Sequence, residues 1–405
     1  MAESVKVIDP NSGSGYDYDS LFDWEAAQQA DIDTSNTIAV AKCRCTGGTA
    51  DTTAVEIDGW TTSAADYIKI WTDPAESYRH NGIYPTGNKY RIEVSVYQGV
   101  IRCSENHVRI IGLAVHGTPH NWDEVSGIFI GDSGFYGHII ESCIIRSTGT
   151  ASNGYGNGDG IRSRNITTGS IIIANNIIYG PFGKSIYISM ASGSPTGAVY
   201  NNTCFGSKGT EGSALHVGIN SGTCYFTNNI SQDSANQDAI YSFGTTSPLT
   251  NISSDTSSPN SAFWSITLTF TNLSAGSEDF HLDSSDTEAI GAGTNLYNDA
   301  TYAFQADIDG NDRGGAAAAW DIGADEYVSS ASIEQKNFRL RNDDDSESAA
   351  TWKASQDTNI TLAADTAFRL RFLLKATGNP DSIDAQAEAR VKPSGGAFGA
   401  WGKIN

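Results

Sequence analysis

The chain is poor in several things that soluble domains usually carry. Only 18% of its 405 residues are charged, against roughly a quarter in an average domain. Basic residues are scarce: 25 Lys and Arg face 47 Asp and Glu, a formal charge of −22. A surface that acidic repels phosphate backbones, which argues against nucleic acid as a partner. No apolar run approaches the roughly 18 residues of a membrane-spanning helix. The opening MAESVKVIDP lacks the basic and apolar stretches of a secretory signal. The six Cys, at 43, 45, 103, 143, 204 and 224, form no CxxC and no tight cluster with His. Zinc is therefore not indicated, and the thiols read as reduced core residues. Met (2) and Pro (10) are also few.

What is abundant is Gly, 42 residues, together with Ser, Thr and Asn. That mixture favours strands joined by turns over helices. Between residues 108 and 250 a pattern recurs: VRIIGLAVHG, HIIESCIIRS, IIIANNIIYG, AVYNNTCFG and CYFTNNISQD. Polar pairs punctuate it at Glu141-Ser142, Asn175-Asn176, Asn201-Asn202 and Asn228-Asn229, the last two intervals being 26 and 27 residues. A second short strand follows a small residue in each unit: GIFI at 127–130, GIRS at 160–163, SIYI at 185–188, ALHV at 214–217 and AIYS at 239–242. Strand signals repeating every ~25 residues fit the rungs of a parallel β-solenoid, whose units must stack to bury their apolar sides. Stacked at ~4.8 Å, Asn amides can bond along the stack, and Asn tolerates the left-handed conformation of a sharp bend.

The expected architecture is all-β: a right-handed parallel β-helix with an N-terminal capping helix and a small C-terminal β-sandwich. Residues 1–19 read as a flexible arm. Ser20 to Ala30 reads as the capping helix, with Ser20 and Asp23 in a capping-box pattern and Leu21, Trp24 and Ala27 on one face. The solenoid extends over 20–327, with 251–327 closing it. Residues 328–332 form a linker. From 333 to 405, FRLRN, FRLRFLLKA and AQAEARVKP alternate as antiparallel strands.

The rungs resemble right-handed parallel β-helix proteins of the pectate-lyase-like superfamily. DFHLDSSDTEAIGAGTNL (279–296), DIDGNDRGG (307–315) and WDIGADEY (320–327) are similar to the closing segment of many such chains. The N-terminal DSLFDWEAAQQADI…IAVAKCRC resembles the opening of β-helix proteins of bacteriophage and environmental bacteria. These likenesses speak for fold and say little about activity.

Strand alternation gives a map of candidate site residues. Phe129, Arg162, Tyr187, His216 and Tyr241 fall one position past the first inward residue of each short strand, so they form an outward column. A rung step of ~4.8 Å is close to one sugar unit. Aromatic rings stack on sugar C–H faces and Arg anchors hydroxyls or carboxylates, so the column reads as a saccharide-binding face. The bland alternative is a ladder that only supports the sheet. Loops at 116–124, 149–157 and 191–197 border it.

Catalysis has weaker signals. Asp159, Arg162 and His216 are the candidates. Asp159 stands alone in GDG, and the Gly-His-Gly and Arg-Lys motifs of β-helix polygalacturonase-like enzymes are missing. Lyase chemistry needs a calcium-binding acid cluster and a base, and no such cluster stands on neighbouring rungs. His138, beside the Glu141 corner, reads equally well as buried packing. Asp307, Asp309 and Asn311 have the first three ligand spacings of a calcium loop, but Asp312 and Ala318 replace its later Gly and Glu. A turn with Arg313 paired to an acid is the simpler reading, and calcium is the one cofactor left open.

The functional expectation is a phage virion protein: a fibre, spike or decoration subunit without an export signal, located on the particle. Its partners would be other virion proteins, cell-surface polysaccharide and further copies of itself, in a trimer for instance. The alternatives are a polysaccharide lyase or glycoside hydrolase, and a bacterial surface adhesin.

Overall fold

The computed structural model describes the chain except residues 1, 96–97, 119–124, 132–133, 150–157, 209–212, 243–244, 329–331, 343–350, 359, 364–365, 367, 378–387, 390–401 and 404–405. It contains two compact units, Met1–Tyr327 and Val328–Asn405. The central rungs of the first unit each visit three parallel sheets in turn. Sheet A has nine strands, from Ala2–Ile8 and Thr37–Cys43 to Thr223–Thr227 and Thr245–Leu249. Sheet B has seven: Val55–Ile57, Gln98–Cys103, Val125–Ile130, Asp159–Ile166, Lys184–Met190, Ser213–Ile219 and Gln237–Ser242. Sheet C has seven, from Arg91–Ser95 to Ile252–Ser253. This is a right-handed parallel β-helix, the handedness that parallel crossovers adopt almost without exception. Alternate apolar residues of the repeat point inward and stack. Ile110, Ile140, Ile173, Val199 and Phe226 form one continuous buried row through sheet A. All six Cys are free and buried.

The bend between sheets A and C carries the polar pairs. Its first residue takes the left-handed conformation at Ser142, Asn175, Asn201, Asn228 and Thr250 (φ between 33° and 59°), and at Gly112 (φ 73°), where glycine adopts it without strain. The second residue builds a ladder. Asn202 Oδ1 accepts from both the backbone N–H and the Nδ2 of Asn176, each at 3.0 Å. Asn229 Oδ1 does the same for Asn202 at 3.1 and 3.0 Å, and Asn251 Oδ1 for Asn229 at 3.0 and 2.8 Å. The free end of each amide donates to a strand carbonyl one rung back: Ile140, Ile173, Val199 and Phe226. Four amides are thus fully engaged where water does not reach.

Two details differ from the sequence pattern. Glu141 pairs with Ala174, so the pair superposed on Asn175-Asn176 is Ser142-Cys143 and not Glu141-Ser142. The ladder also runs one rung further, through Thr250-Asn251, where a single Asn hid the repeat.

The N terminus is a correction. Residues 2–8 are not an arm: Ala2–Ile8 pairs in parallel with Thr37–Cys43 over seven positions and starts sheet A. The Gly/Ser-rich residues that follow are pinned by Asp9, whose carboxylate accepts from the backbone of Asn11, Gly13 and Thr46 and from the Thr46 hydroxyl. The capping helix Leu21–Gln28 starts at Ser20, whose hydroxyl accepts from Asp23 N. It buries Leu21 and Trp24, and Trp24 stacks on Trp60 at 5.5 Å. Ala27 is exposed. Glu25 is buried instead, accepting from Trp60 Nε1 and Asp58 N.

The closing segment also departs from expectation. After Ile252–Ser253 the chain runs back along the flank of the solenoid. Phe270, Phe280, Leu282, Ile308 and Ile322 pack on the outer face of sheet C around Ile144, Ile177 and Tyr179. Leu296, Phe304 and Trp320 cover Ile172, Ala198 and Tyr200 of sheet A. The first Asn of each pair holds this strap: Asn175 donates to Ala306 O, Asn201 to Asp321 O and Gly323 O, and Asn228 to Thr294 O.

The second unit is antiparallel β. Ser332–Asn342 pairs with Phe368–Thr377, and Glu388–Ala389 with Gly402–Lys403. The stretch 385–393 expected as a strand otherwise lies outside the described residues. On the long hairpin, Arg339, Arg341 and Arg371 gather around the Trp352 ring at 4.1, 5.7 and 6.0 Å.

Asn202→Ala should cost about 2–4 kcal/mol, because it leaves buried donors and acceptors of three rungs without partners. Denaturation curves of the variant and parent measure it. A change within about 0.5 kcal/mol, typical of surface sites, would contradict the ladder.

Candidate functional site

The outer face of sheet B carries the expected column, with one member added and one displaced. Arg162 pairs with Phe129 on one side and Tyr187 on the other, and Tyr187 pairs with His216. Arg102, which was not anticipated, pairs with Phe129 from the preceding rung. Its strand sequence VIRC follows the same apolar–outward–apolar alternation as GIRS, so the signal was present. Tyr241 falls out of line: it pairs with Val217, and Ile240 stands beside His216. One residue fewer separates these strands than the aligned AIYS and ALHV segments imply, and a one-residue slip moves a side chain to the other face. Buried Asp238 fixes the register by accepting from Ser234 N, Ser254 N and the Ser254 hydroxyl.

The column is tied together by alternating charge and π faces. Phe129 lies between two guanidiniums, Arg102 at 5.5 Å and Arg162 at 5.3 Å, and is only 6% exposed. Lys184 and Arg164 approach Tyr187 at 5.5 and 5.9 Å. His216 meets the Tyr187 ring edge-on at 5.2 Å. Each cation–π pair contributes about 0.5–1 kcal/mol at a partly exposed site, so the rings and cations are held in place before any ligand arrives. Tyr187 and His216 are half-buried, while Phe129 serves beneath the guanidiniums. Of the bordering loops, residues 119–124 and 150–157 lie outside the described residues.

Of the catalytic candidates, Asp159 and Arg162 come together as an ion pair at 3.6 Å. His216 does not join them, because Tyr187 occupies the intervening rung. His138 is inside the solenoid, 1% exposed. Burial, and then the nearby His107, lower its pKa to about 3, so it is a neutral core residue.

The DIDGNDR loop is a turn. Asp307 Oδ1 accepts from the backbone N–H of Asp309 and Asn311, and its Oδ2 from the Asn311 amide. Arg313 is buried and pairs with Glu326 at 2.9 Å while donating to Asn175 Oδ1 at 3.0 Å. Asp309 faces the other way, toward His281 Nε2 at 2.8 Å. Among the described residues, one group of three could hold a metal ion: His281, Asp309 and Asp325. Burial would lower the His281 pKa, but the hydrogen bond and charge of Asp309, with Asp325 and Asp279, raise it to about 10. The imidazolium therefore clamps the strap at neutral pH. This group lies on the strap and not on sheet B.

No family model matches the chain, and no curated protein matches it. Among solved structures it is similar to pectate lyase Pel9A, at 12% identity over 80% of this chain and 96% of that one, with a TM-score of 0.35. It is also similar to the Dettilon tailspike protein (gp208), at 12% identity over 62% of this chain and 69% of that one, with a TM-score of 0.19. Likeness this remote leaves the reading of the site to its own geometry. That geometry defines a parallel β-helix protein with a cationic and aromatic column on one face.

His138 gives a pH prediction. Its folded pKa of about 3 lies below the ordinary 6.5, so the unfolded chain binds the proton first. The stability is complete above pH 6.5 and falls as pH drops toward 3, on the order of 2–3 kcal/mol by pH 4. His138→Leu should lose less thermal stability between pH 7 and pH 4 than the parent. Equal losses would contradict this assignment.

Proposed function

We propose that the protein is a surface subunit of a virus particle, a fibre, spike or decoration, and that sheet B binds a cell-surface glycan. The observation that carries the binding role is the in-register column Arg102, Phe129, Arg162, Tyr187 and His216. Its repeat of ~4.8 Å matches successive sugar units. The half-buried Tyr187 ring meets sugar C–H groups, and the guanidiniums of Arg102 and Arg162, ion-paired to Glu56 and Asp159, add positive charge that attracts hydroxyls or carboxylates. The particle setting rests on the likeness of the N-terminal sequence to phage β-helix proteins. A rod whose rungs are locked by buried amides suits exposure outside a cell.

Tyr187→Ala and Arg162→Ala should each weaken binding to the recognised polysaccharide about five- to thirtyfold, the 1–2 kcal/mol of a lost stacking or bidentate contact. Glycan-array screening followed by calorimetry with the selected glycan reads this out. Unchanged affinity in both variants would remove sheet B as the binding face. Product release in the same samples, abolished by Asp159→Asn, would replace this reading with a depolymerase.

A further inference from the structure

Outside sheet B, the outer face of sheet A carries a groove of about 350 Å³ lined by Tyr67, His107, Arg109, Tyr136, Ile139 and Ile172. Its floor is a column. Arg109, Ile139 and Ile172 are direct neighbours on successive rungs, and Lys69 continues the column beyond the groove. Its wall is built from the turns that enter sheet A, where His107 meets Tyr136 edge-on at 5.2 Å. Both rings rest on glycines of the following rung. A Cβ at Gly137 would collide with the His107 ring, and one at Gly169 with the Tyr136 ring. The rings are therefore seated by the backbone of the next rung.

Arg109 is the unusual member. Its guanidinium carbon lies over the Tyr67 ring, 3.5 Å from the centroid. It makes no hydrogen bond or ion pair with any described residue. Its neighbours are otherwise engaged. The Glu141 carboxylate accepts from the Tyr302 hydroxyl at 2.8 Å, and Lys69 lies over Trp71 and near Glu3. Burial, and then the Arg109 charge, lower the His107 pKa. A stacked guanidinium keeps its in-plane N–H fork open, and that fork matches a planar or tetrahedral oxyanion. Apolar walls with a few fixed polar groups are the usual makeup of a small-ligand site.

We propose that this groove is a second binding site, for a sugar bearing an oxyanion. The carboxylate, sulfate or phosphate meets Arg109, and the sugar ring packs against Tyr136 and Ile139. The site lies on a different sheet from the sheet B column, so either can fail without the other.

The test uses the full chain and four probes: glucose 6-phosphate, glucuronate, glucose and inorganic phosphate, each titrated by calorimetry. At least one charged sugar should bind about tenfold or more tighter than glucose, the effect of a charge-assisted bidentate contact. The two charged arms identify the preferred anion. Arg109→Gln should abolish the advantage, and Arg109→Lys should retain part of it. Thermal melts matching the parent confirm that the variants fold. Equal binding of glucose and both charged sugars, or an unaffected Arg109→Gln, overturns the site. Inorganic phosphate binding as tightly as glucose 6-phosphate overturns the role of the sugar ring.

Discussion

Everything built on this scaffold depends on amides stacked inside one bend of the coil. A buried Asn left unpaired costs several kcal/mol. Asn176, Asn202, Asn229 and Asn251 avoid that cost only when each rung lies directly over the last. A slip of one residue would strand these polar groups and turn the isoleucine rows outward. The ladder therefore selects one register among many similar ones, which apolar stacking alone selects weakly. The outer columns inherit that register, so side chains 25–33 residues apart in sequence become immediate neighbours.

The two Asn of each pair divide the labour. The second serves the interior. The first, in the left-handed conformation, turns its amide outward and holds the strap through Ala306, Asp321, Gly323 and Thr294. The strap covers apolar side chains on the outside of sheets C and A. Among the described residues, no comparable cluster covers sheet B, where cations and rings face outward. The strap thus covers part of sheets C and A and leaves the sheet B column open. Arg313, buried beside Asn175 and Glu326, adds a further tie between the strap and the bend.

The solenoid was legible because its signals are local and periodic: paired Asn, alternating Ile, and Gly at turns. What escaped notice had other causes. The Ala2–Ile8 strand was masked by the turn-forming residues after it, and its partner lies some thirty-five residues away. The misplaced Glu141-Ser142 pair came from matching polarity, whereas the backbone matches the left-handed residue, Ser142 with Asn175. Tyr241 was assigned by likeness of AIYS to ALHV, but Asp238 and Ser254 set that register through contacts no strand pattern encodes. The strap's path was hidden because its turns carry no repeat, and its docking partners are Asn residues already explained by the bend. The Arg109 groove went unseen because its members come from six separate positions along three strands and three turns.

The central claim, that successive rungs superpose residue for residue, is tested most directly by paired cysteines on sheet B. Direct parallel neighbours bring Cα atoms within the roughly 4.4–6.8 Å that a disulfide spans. Mild oxidation of the folded Arg162→Cys/Tyr187→Cys protein should form the bond, seen by mass spectrometry of peptides. Arg162→Cys/Ser189→Cys, two residues further along the same strand, should not form it. Preferential bonding of the second pair, or of neither, would contradict the register on which the columns and the ladder rest.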